Sequence, residues 1–300
     1  MRDQALAILK ALISVVIWGA SFVATKISLH YVSPVTLVWL RFAMGVLILG
    51  FAVWFRRQFI LPAKKDMLYF AFLGFLGITF HQWLQSTGLV TAQATTSAWI
   101  VASTPIFMAL LGWLALRERL IWSQVIGILL AAFGVLLVVS RGNLFGLLFG
   151  KIGSIGDFLM LVSAPNWAVF STLSRHGLHK HSATLMMFYV MVFGWLFSSV
   201  LFLTGQGFGE IYHLPLDGWL GIAFLGIFCS GLAYIFWYDA LQVLPLAQTG
   251  AFLYIEPMIT LIIAGFVLRE KLLPTTLVGG MTILMGVWLV NRPKFKLAVP

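Results

Sequence analysis

Apolar residues fill this chain in long runs broken by short polar stretches. Ten runs can be marked, at approximately 6–28, 34–55, 67–88, 92–116, 121–140, 152–174, 183–204, 217–239, 245–268 and 274–291. Each is close to the ~20 residues that an α-helix needs to cross the hydrocarbon core of a bilayer. Pro34, Pro245 and Pro274 stand at or beside run starts, where a missing backbone N–H costs a helix least. The connections are short, so successive helices must turn back on one another. A glycine-rich junction around Arg141–Lys151 splits the chain into residues 1–145 and 146–300, with five runs in each. An odd number of spans per half sends the second half through the membrane in the opposite sense. The pattern predicts an all-α integral membrane protein of ten transmembrane helices, built as two inverted five-helix repeats.

The halves are also written alike. Pro105-Ile-Phe, Leu116-Arg117-Glu118-Arg119-Leu120, Gly127 and Gly134 recur as Pro257-Met-Ile, Leu268-Arg269-Glu270-Lys271-Leu272, Gly279 and Gly286, every anchor 152 positions on. Further back, Phe72-Leu73-Gly74 maps on Phe224-Leu225-Gly226, and Leu89 on Leu241. A gap-free register over roughly 70 residues marks a duplicated unit, and duplication in a very apolar chain is the sequence mark of a secondary transporter. Seven-residue spacing puts each glycine pair on one helix face, where small residues allow close approach. That face could serve internal packing or a dimer interface, so monomer and homodimer both stay open.

Composition fixes the solvent. Of 300 residues 61% are hydrophobic and 9% charged, against about 25% charged in a soluble domain. Such a chain cannot present a polar shell to water, so the lipid bilayer must surround it. The net charge of +10 would suit nucleic acid, but no basic stripe with interleaved aromatics is present, and no nucleic-acid partner is expected. The basic residues sit between apolar runs. Arg2, Lys10, Arg56, Arg57, Lys64, Lys65, Arg117, Arg119, Arg175, Lys180, Arg292, Lys294 and Lys296 fall on one side, and only Lys26, Arg141, Lys151, Arg269 and Lys271 on the other. This bias predicts cytoplasmic termini and an external loop from Glu210 to Asp217. The single cysteine, Cys229, lies in an apolar run and reads as a small buried hydrophobe. The first run lacks a small-residue cleavage site and reads as a retained helix.

Soluble-enzyme chemistry is missing from the motifs. Gly146-Leu-Leu-Phe-Gly150-Lys151-Ile152 is one residue short of a phosphate loop and ends in Ile. No metal- or cofactor-binding motif occurs. Attention therefore falls on polar groups inside apolar runs, each of which is costly in a membrane. Glu256 lies near the middle of its run, directly before Pro257. It suits a proton-carrying or amine-binding carboxylate, or else a structural ion pair or buried neutral acid. Its repeat mate is Thr104. Arg41 can bind a substrate carboxylate bidentately, or snorkel outward, or clamp Glu256 in an ion pair or backbone carbonyls by hydrogen bonds. His81, Gln82 and Gln85 stand mid-run, and positions 78, 82 and 85 share a helix face. Their mates Ser230, Tyr234 and Trp237 are also hydrogen-bonding or aromatic, as a shared cavity lining requires. Trp99, Ser103 and Thr104 lie in the fourth run, and Pro165-Asn166-Trp167 in the sixth, where proline breaks the helical ladder and Asn166 can re-satisfy the freed groups.

The paired segments Pro105…Leu116-Arg117-Glu118-Arg119-Leu120 and Pro257…Leu268-Arg269-Glu270-Lys271-Leu272 resemble the two signatures of EamA-type carriers in the drug/metabolite transporter superfamily. Ile17-Trp18-Gly19-Ala20-Ser21-Phe22, Pro34…Arg41 and Gly156-Asp157…Asn166-Trp167-Ala168 fit the same pattern, so the resemblance covers essentially the whole chain. It implies ten helices in two inverted repeats, a bacterial inner (plasma) membrane setting and export of small metabolites, often amino acids. The aromatic-amino-acid exporter type is similar in its aromatic-lined centre.

These readings converge on an alternating-access exporter of small solutes, amino acids including aromatic ones, with no cofactor and with proton coupling open. Trp99, Trp167, Tyr234 and Trp237 would stack on the solute, while His81, Gln85, Asn166 and Glu256 handle its polar groups. The Arg117–Arg119 and Arg269–Lys271 linkers would anchor topology. A carrier of nucleotide-sugars or other phosphorylated metabolites would want several cavity-facing Lys or Arg, and only Arg41 qualifies. A membrane-embedded lipid-modifying enzyme using His81 and Glu256 would need convergent polar groups near one membrane face.

Overall fold

The computed structural model describes residues 2–116, 122–145, 153–244, 252–271 and 273–290. The described residues form helices and no strands: α1 (Arg2–Ser28), α2 (Pro34–Phe55), α3 (Lys64–Thr91), α4 (Ala94–Val101), α5 (Thr104–Leu116), α6 (Trp122–Val139), α7 (Ile155–Leu178), α8 (Ala183–Thr204), the short α9 (Gly207–Tyr212), α10 (Leu216–Val243), α11 (Leu253–Leu268) and α12 (Pro274–Val290). Each apolar run is mainly helical over its described residues, and the 92–116 run is split by a turn at Ala102–Ser103 into α4 and α5. Six of these helices are each long and apolar enough to cross a membrane. Leu47, Trp54, Leu129, Val200 and Met281 are exposed, as lipid-facing side chains are.

Local signals set the ends. Ser33 caps α2 through its side chain, with Pro34 at the first helical position. Ser154 and Asp157 form a reciprocal capping box at the start of α7. Arg269 closes α11 in the left-handed conformation, at φ 51°, and Glu270 comes next in the chain. The Glu270 carboxylate accepts hydrogen bonds from the backbone N–H groups of Ala94 (2.8 Å) and Thr95 (3.1 Å) and from the Thr95 hydroxyl (2.8 Å). The second repeated signature thus caps the N-terminus of α4, where a negative charge is favoured. Its first copy, Arg117–Arg119, lies outside the described residues.

The glycine faces are internal. Gly127 packs on Gly286 and Gly134 on Gly279, joining α6 to α12. A Cβ on Gly127 would sit 2.5 Å from the Gly286 carbonyl oxygen, and one on Gly134 would sit 2.7 Å from that of Gly279. In lipid, where apolar burial gives helices no reason to associate, such backbone contact supplies the packing.

The bundle has two ends. Lys10, Arg56, Tyr69, Gly177, Thr184 and Asp239 make contacts near the end that holds the start of α1. Lys26, Thr91, Ala94, Gly156 and Glu270 meet at the opposite end. There Lys26 donates to the Ala92 carbonyl.

Candidate functional site

A cavity open to solvent lies between mid-depth and the end opposite the start of α1. It is lined by Trp18, Ser21, Phe22 and Thr25 of α1, Arg41 of α2, His81, Gln82, Gln85, Ser86 and Leu89 of α3, Val101 to Pro105 around the α4–α5 turn (without Ser103), Trp167 of α7, Tyr234 of α10, and Leu253 and Glu256 of α11.

Helix geometry aims these groups. A π-helical stretch, Phe75–Phe80, precedes His81 in α3, and another, Phe224–Leu232, precedes Tyr234 in α10. Such turns admit an extra residue, rotate the rest of the helix about its axis, and concentrate at functional sites. Glycines let the walls close up. A Cβ on Gly45 would lie 3.0 Å from that of Ser230, and one on Gly19 would lie 2.9 Å from the Glu256 carbonyl oxygen. Thr260 Oγ1 donates to the carbonyls of Gly19 (2.7 Å) and Glu256 (3.0 Å), fixing α11 on α1.

Arg41 is 4% exposed. Its Nε donates to Ser230 Oγ (3.0 Å) and its Nη1 to Gln82 Oε1 (3.3 Å), while its guanidinium lies 5.2 Å from the Phe42 ring centre. No described carboxylate comes within ion-pair distance of it. Nη2 has no hydrogen-bond partner among the described residues and is not sealed from the cavity. Glu256, half-buried in the lining of the same cavity, makes no ion pair and no side-chain hydrogen bond with any described residue. The Arg41–Glu256 clamp weighed from the sequence is therefore not formed. An arginine and a carboxyl group, neither paired with the other, thus line one cavity.

Aromatic rings surround them. His81 lies 4.7 Å from Trp167, and Trp18 lies 5.5 Å from Tyr234 and 5.2 Å from Trp237. Trp18 Nε1 donates to the Cys229 carbonyl within the π stretch of α10 (3.1 Å), which holds its ring in place.

Of the residues singled out from sequence, Arg41, His81, Gln85, Trp167, Tyr234 and Glu256 come together at the cavity. Three do not reach its wall. Trp99 is 1% exposed and packs its ring over Gly280 of α12. Trp237 stands behind Trp18. Asn166 Nδ2 donates to the Leu76 carbonyl (2.9 Å), so it serves the π stretch of α3 and not the groups freed by Pro165. Helix α7 continues through Pro165 without interruption. The α1 wall was not singled out, although Trp18, Ser21, Phe22 and Thr25 stand at i, i+3, i+4 and i+7, the spacing of one helix face.

Among the described residues, an ion-paired cluster holds the end with the start of α1 together. Asp239 accepts from Lys10 Nζ (2.8 Å) and from both terminal nitrogens of Arg56 (2.9 Å each). Arg56 Nη1 also donates to Thr184 Oγ1 (2.8 Å). These bonds pin α10 to α1, α2 and α8, and those from Asp239 push the Arg56 guanidinium further toward its charged form. Ala7, Ala11, Ala240 and Leu244 pack beside them.

A helical bundle with an ion-paired end, a mid-depth polar cavity and lipid-compatible flanks defines a multi-pass membrane transporter. The chain belongs to the EamA-like transporter family, whose model matches it twice, over residues 5–140 and 154–292. An "Uncharacterized transporter" of Archaeoglobus fulgidus is 28% identical, with 93% of this chain and 95% of the relative covered. The "Uncharacterized transporter YyaM" of Bacillus subtilis is 26% identical, with 90% and 88% covered. A "Probable terminal-alkyne amino-acid exporter" of Streptantibioticus cattleyicolor is 26% identical, with 95% and 93% covered. A crystal structure with 17% sequence identity superposes with a TM-score of 0.64, covering 95% of this chain and 98% of that one, and so shares the fold. The family and the named relatives are those of transporters rather than enzymes.

Proposed function

We propose that this protein exports zwitterionic amino acids, aromatic ones included, by alternating access between two inverted five-helix repeats. The observation that carries the reading is the unpaired Arg41 and Glu256 lining one cavity. A buried charge stripped of its partner costs about 3–5 kcal/mol. An amino acid answers both charges at once, its carboxylate on Arg41 and its ammonium on Glu256. Trp18, Trp167 and Tyr234 then offer ring faces to its side chain. Phosphorylated solutes fit less well, because Arg41 is the one cation among the described lining residues. The "amino-acid exporter" among the relatives is consistent with this substrate class.

The ion-paired end carries Lys10, Arg56, Arg57, Lys64, Lys65, Arg175 and Lys180, which supports a cytoplasmic position for it and for the termini. The cavity then faces outward, across a bacterial inner (plasma) membrane crossed ten times. The test of orientation is Gly209→Cys, a site where a Cβ meets nothing within 4 Å. It should react with an impermeant thiol reagent in intact cells, and protection until lysis would reverse the topology. The test of function is flux in reconstituted vesicles of labelled phenylalanine, tyrosine, tryptophan and leucine, with and without an imposed pH step. A carboxylate at this depth must be paired, hydrated or protonated. If Glu256 exchanges its amine for a proton on each cycle, the pH step drives export, and Glu256→Gln retains at most downhill exchange. A flux indifferent to the step makes the protein a downhill facilitator.

A further inference from the structure

We infer that Gln82 is a positioning residue. It holds the Arg41 fork open for a solute carboxylate and so sets the preference for amino acids over simple amines. The inference rests on the amino-acid reading above. A guanidinium has five N–H donors. One, on Nε, goes to Ser230 of α10, and one, on Nη1, goes to Gln82 of α3. What remains is Nη2 and the second Nη1 donor, which on this inference take a carboxylate with two parallel bonds. Ser230 is fully buried and Gln82 is 8% exposed, so both acceptors are themselves held by packing. The fork is thus gripped from two helices that belong to different halves of the chain.

The chemistry of the grip matters as much as its geometry. An arginine this buried is ordinarily met by a carboxylate, and Gln82 is the neutral isostere of one. It accepts a hydrogen bond without cancelling the charge, so the charge stays available to the solute. Ser230, on α10, grips the same guanidinium. A change of shape at Gln82 would therefore be felt by α10 as well as by α2.

The experiment uses Gln82→Glu, which keeps the shape and supplies the missing counter-charge, and Gln82→Leu, which removes the acceptor alone. The probes are phenylalanine and phenethylamine, which share ring and amine and differ by the carboxylate. In vesicles the wild type should favour phenylalanine. Gln82→Glu should invert that preference: the KM for phenylalanine rises about tenfold or more, the weight of a hydrogen bond to a charged group, while phenethylamine flux increases. Gln82→Leu should raise the KM for phenylalanine with kcat retained and leave phenethylamine unchanged. Equal depression of both probes in both variants is the signature of a packing role and overturns the inference.

Thermal unfolding in detergent gives a readout independent of transport. Gln82→Glu should raise Tm when Arg41 is present and lower it in an Arg41→Gln background. The same Tm change in both backgrounds also overturns the inference. A wild type that carries neither probe refutes the amino-acid reading, and with it the preference assigned to Gln82. The Tm cycle still decides whether Gln82 holds the fork.

Discussion

At the seam between α6 and α12, Gly127 meets Gly286 and Gly134 meets Gly279. Each glycine touches the repeat mate of its own helix neighbour, so residues 152 positions apart exchange roles. Around the cavity the same offset pairs His81 with Ala233, Gln82 with Tyr234 and Thr104 with Glu256. None of these pairs repeats the same side chain, and the one acid has a neutral mate. The difference has a physical reason. Close helix packing asks only that a residue be small, and two copies of one sequence can both supply that. The proposed substrate has one negative and one positive end, and on that reading Arg41 of the first half answers one and Glu256 of the second the other.

The largest expected effect is at the seam. Gly134→Val and Gly286→Val each drive a side chain into backbone atoms 2.5–2.8 Å away. Overpacking of this kind costs about 1–3 kcal/mol and sometimes more. Thermal unfolding in detergent should show matched losses for the two variants. A loss confined to one of them would break the symmetry claimed for the seam.

In the cavity, symmetry-related changes should be unequal. Arg41→Gln removes a charge-assisted contact worth about 1.5–3 kcal/mol, so affinity for the amino acid should fall roughly 10- to 150-fold. The double exchange Glu256→Thr with Thr104→Glu should not restore transport lost in Glu256→Thr, because the moved carboxylate would no longer complement Arg41. Recovery of transport would mean that the two positions are equivalent after all.

Ring contacts come next. Trp18→Ala and Trp167→Ala each remove stacking of about 0.5–1.5 kcal/mol, or roughly 2- to 13-fold in affinity. Trp99→Ala, away from the wall, should lower Tm and leave the KM of the remaining folded protein unchanged. The smallest effect belongs to the ion-paired end. Partly exposed ion pairs contribute about 0–1 kcal/mol. Asp239→Asn should therefore raise the reactivity of a cysteine at the buried Ser14 position, from the side of the termini, by up to about fivefold.

The helices were legible in the sequence because a span must be apolar along its whole length, and a run of that kind is visible without knowing its partners. The seam was half legible. The glycine spacing marked a close contact, but only the fold shows that α6 meets α12 rather than a second protein molecule. At the cavity, Arg41, His81, Gln85 and Glu256 stood out because polar groups in lipid need a reason. Trp99 and Trp237 misled, since an aromatic residue is as much at home in packing as in a binding wall. Depth along a helix does not say which way a ring faces. Asn166 was legible as a hydrogen-bonding group, but its partner lies 90 positions away in a π turn that no local pattern announces. Ser21 and Thr25 escaped notice because a hydroxyl can bond its own helix backbone and so needs no cavity to justify it.

The central claim is that Arg41 and Glu256 share one zwitterion. It is tested by competition for labelled phenylalanine uptake into vesicles, using phenethylamine and phenylpropionate as competitors, in the wild type, Arg41→Gln and Glu256→Gln. The account predicts that both competitors are weak against the wild type. Arg41→Gln should erase the advantage of phenylalanine over phenethylamine alone, and Glu256→Gln its advantage over phenylpropionate alone. Loss of both advantages in either variant, or of neither in both, would contradict it.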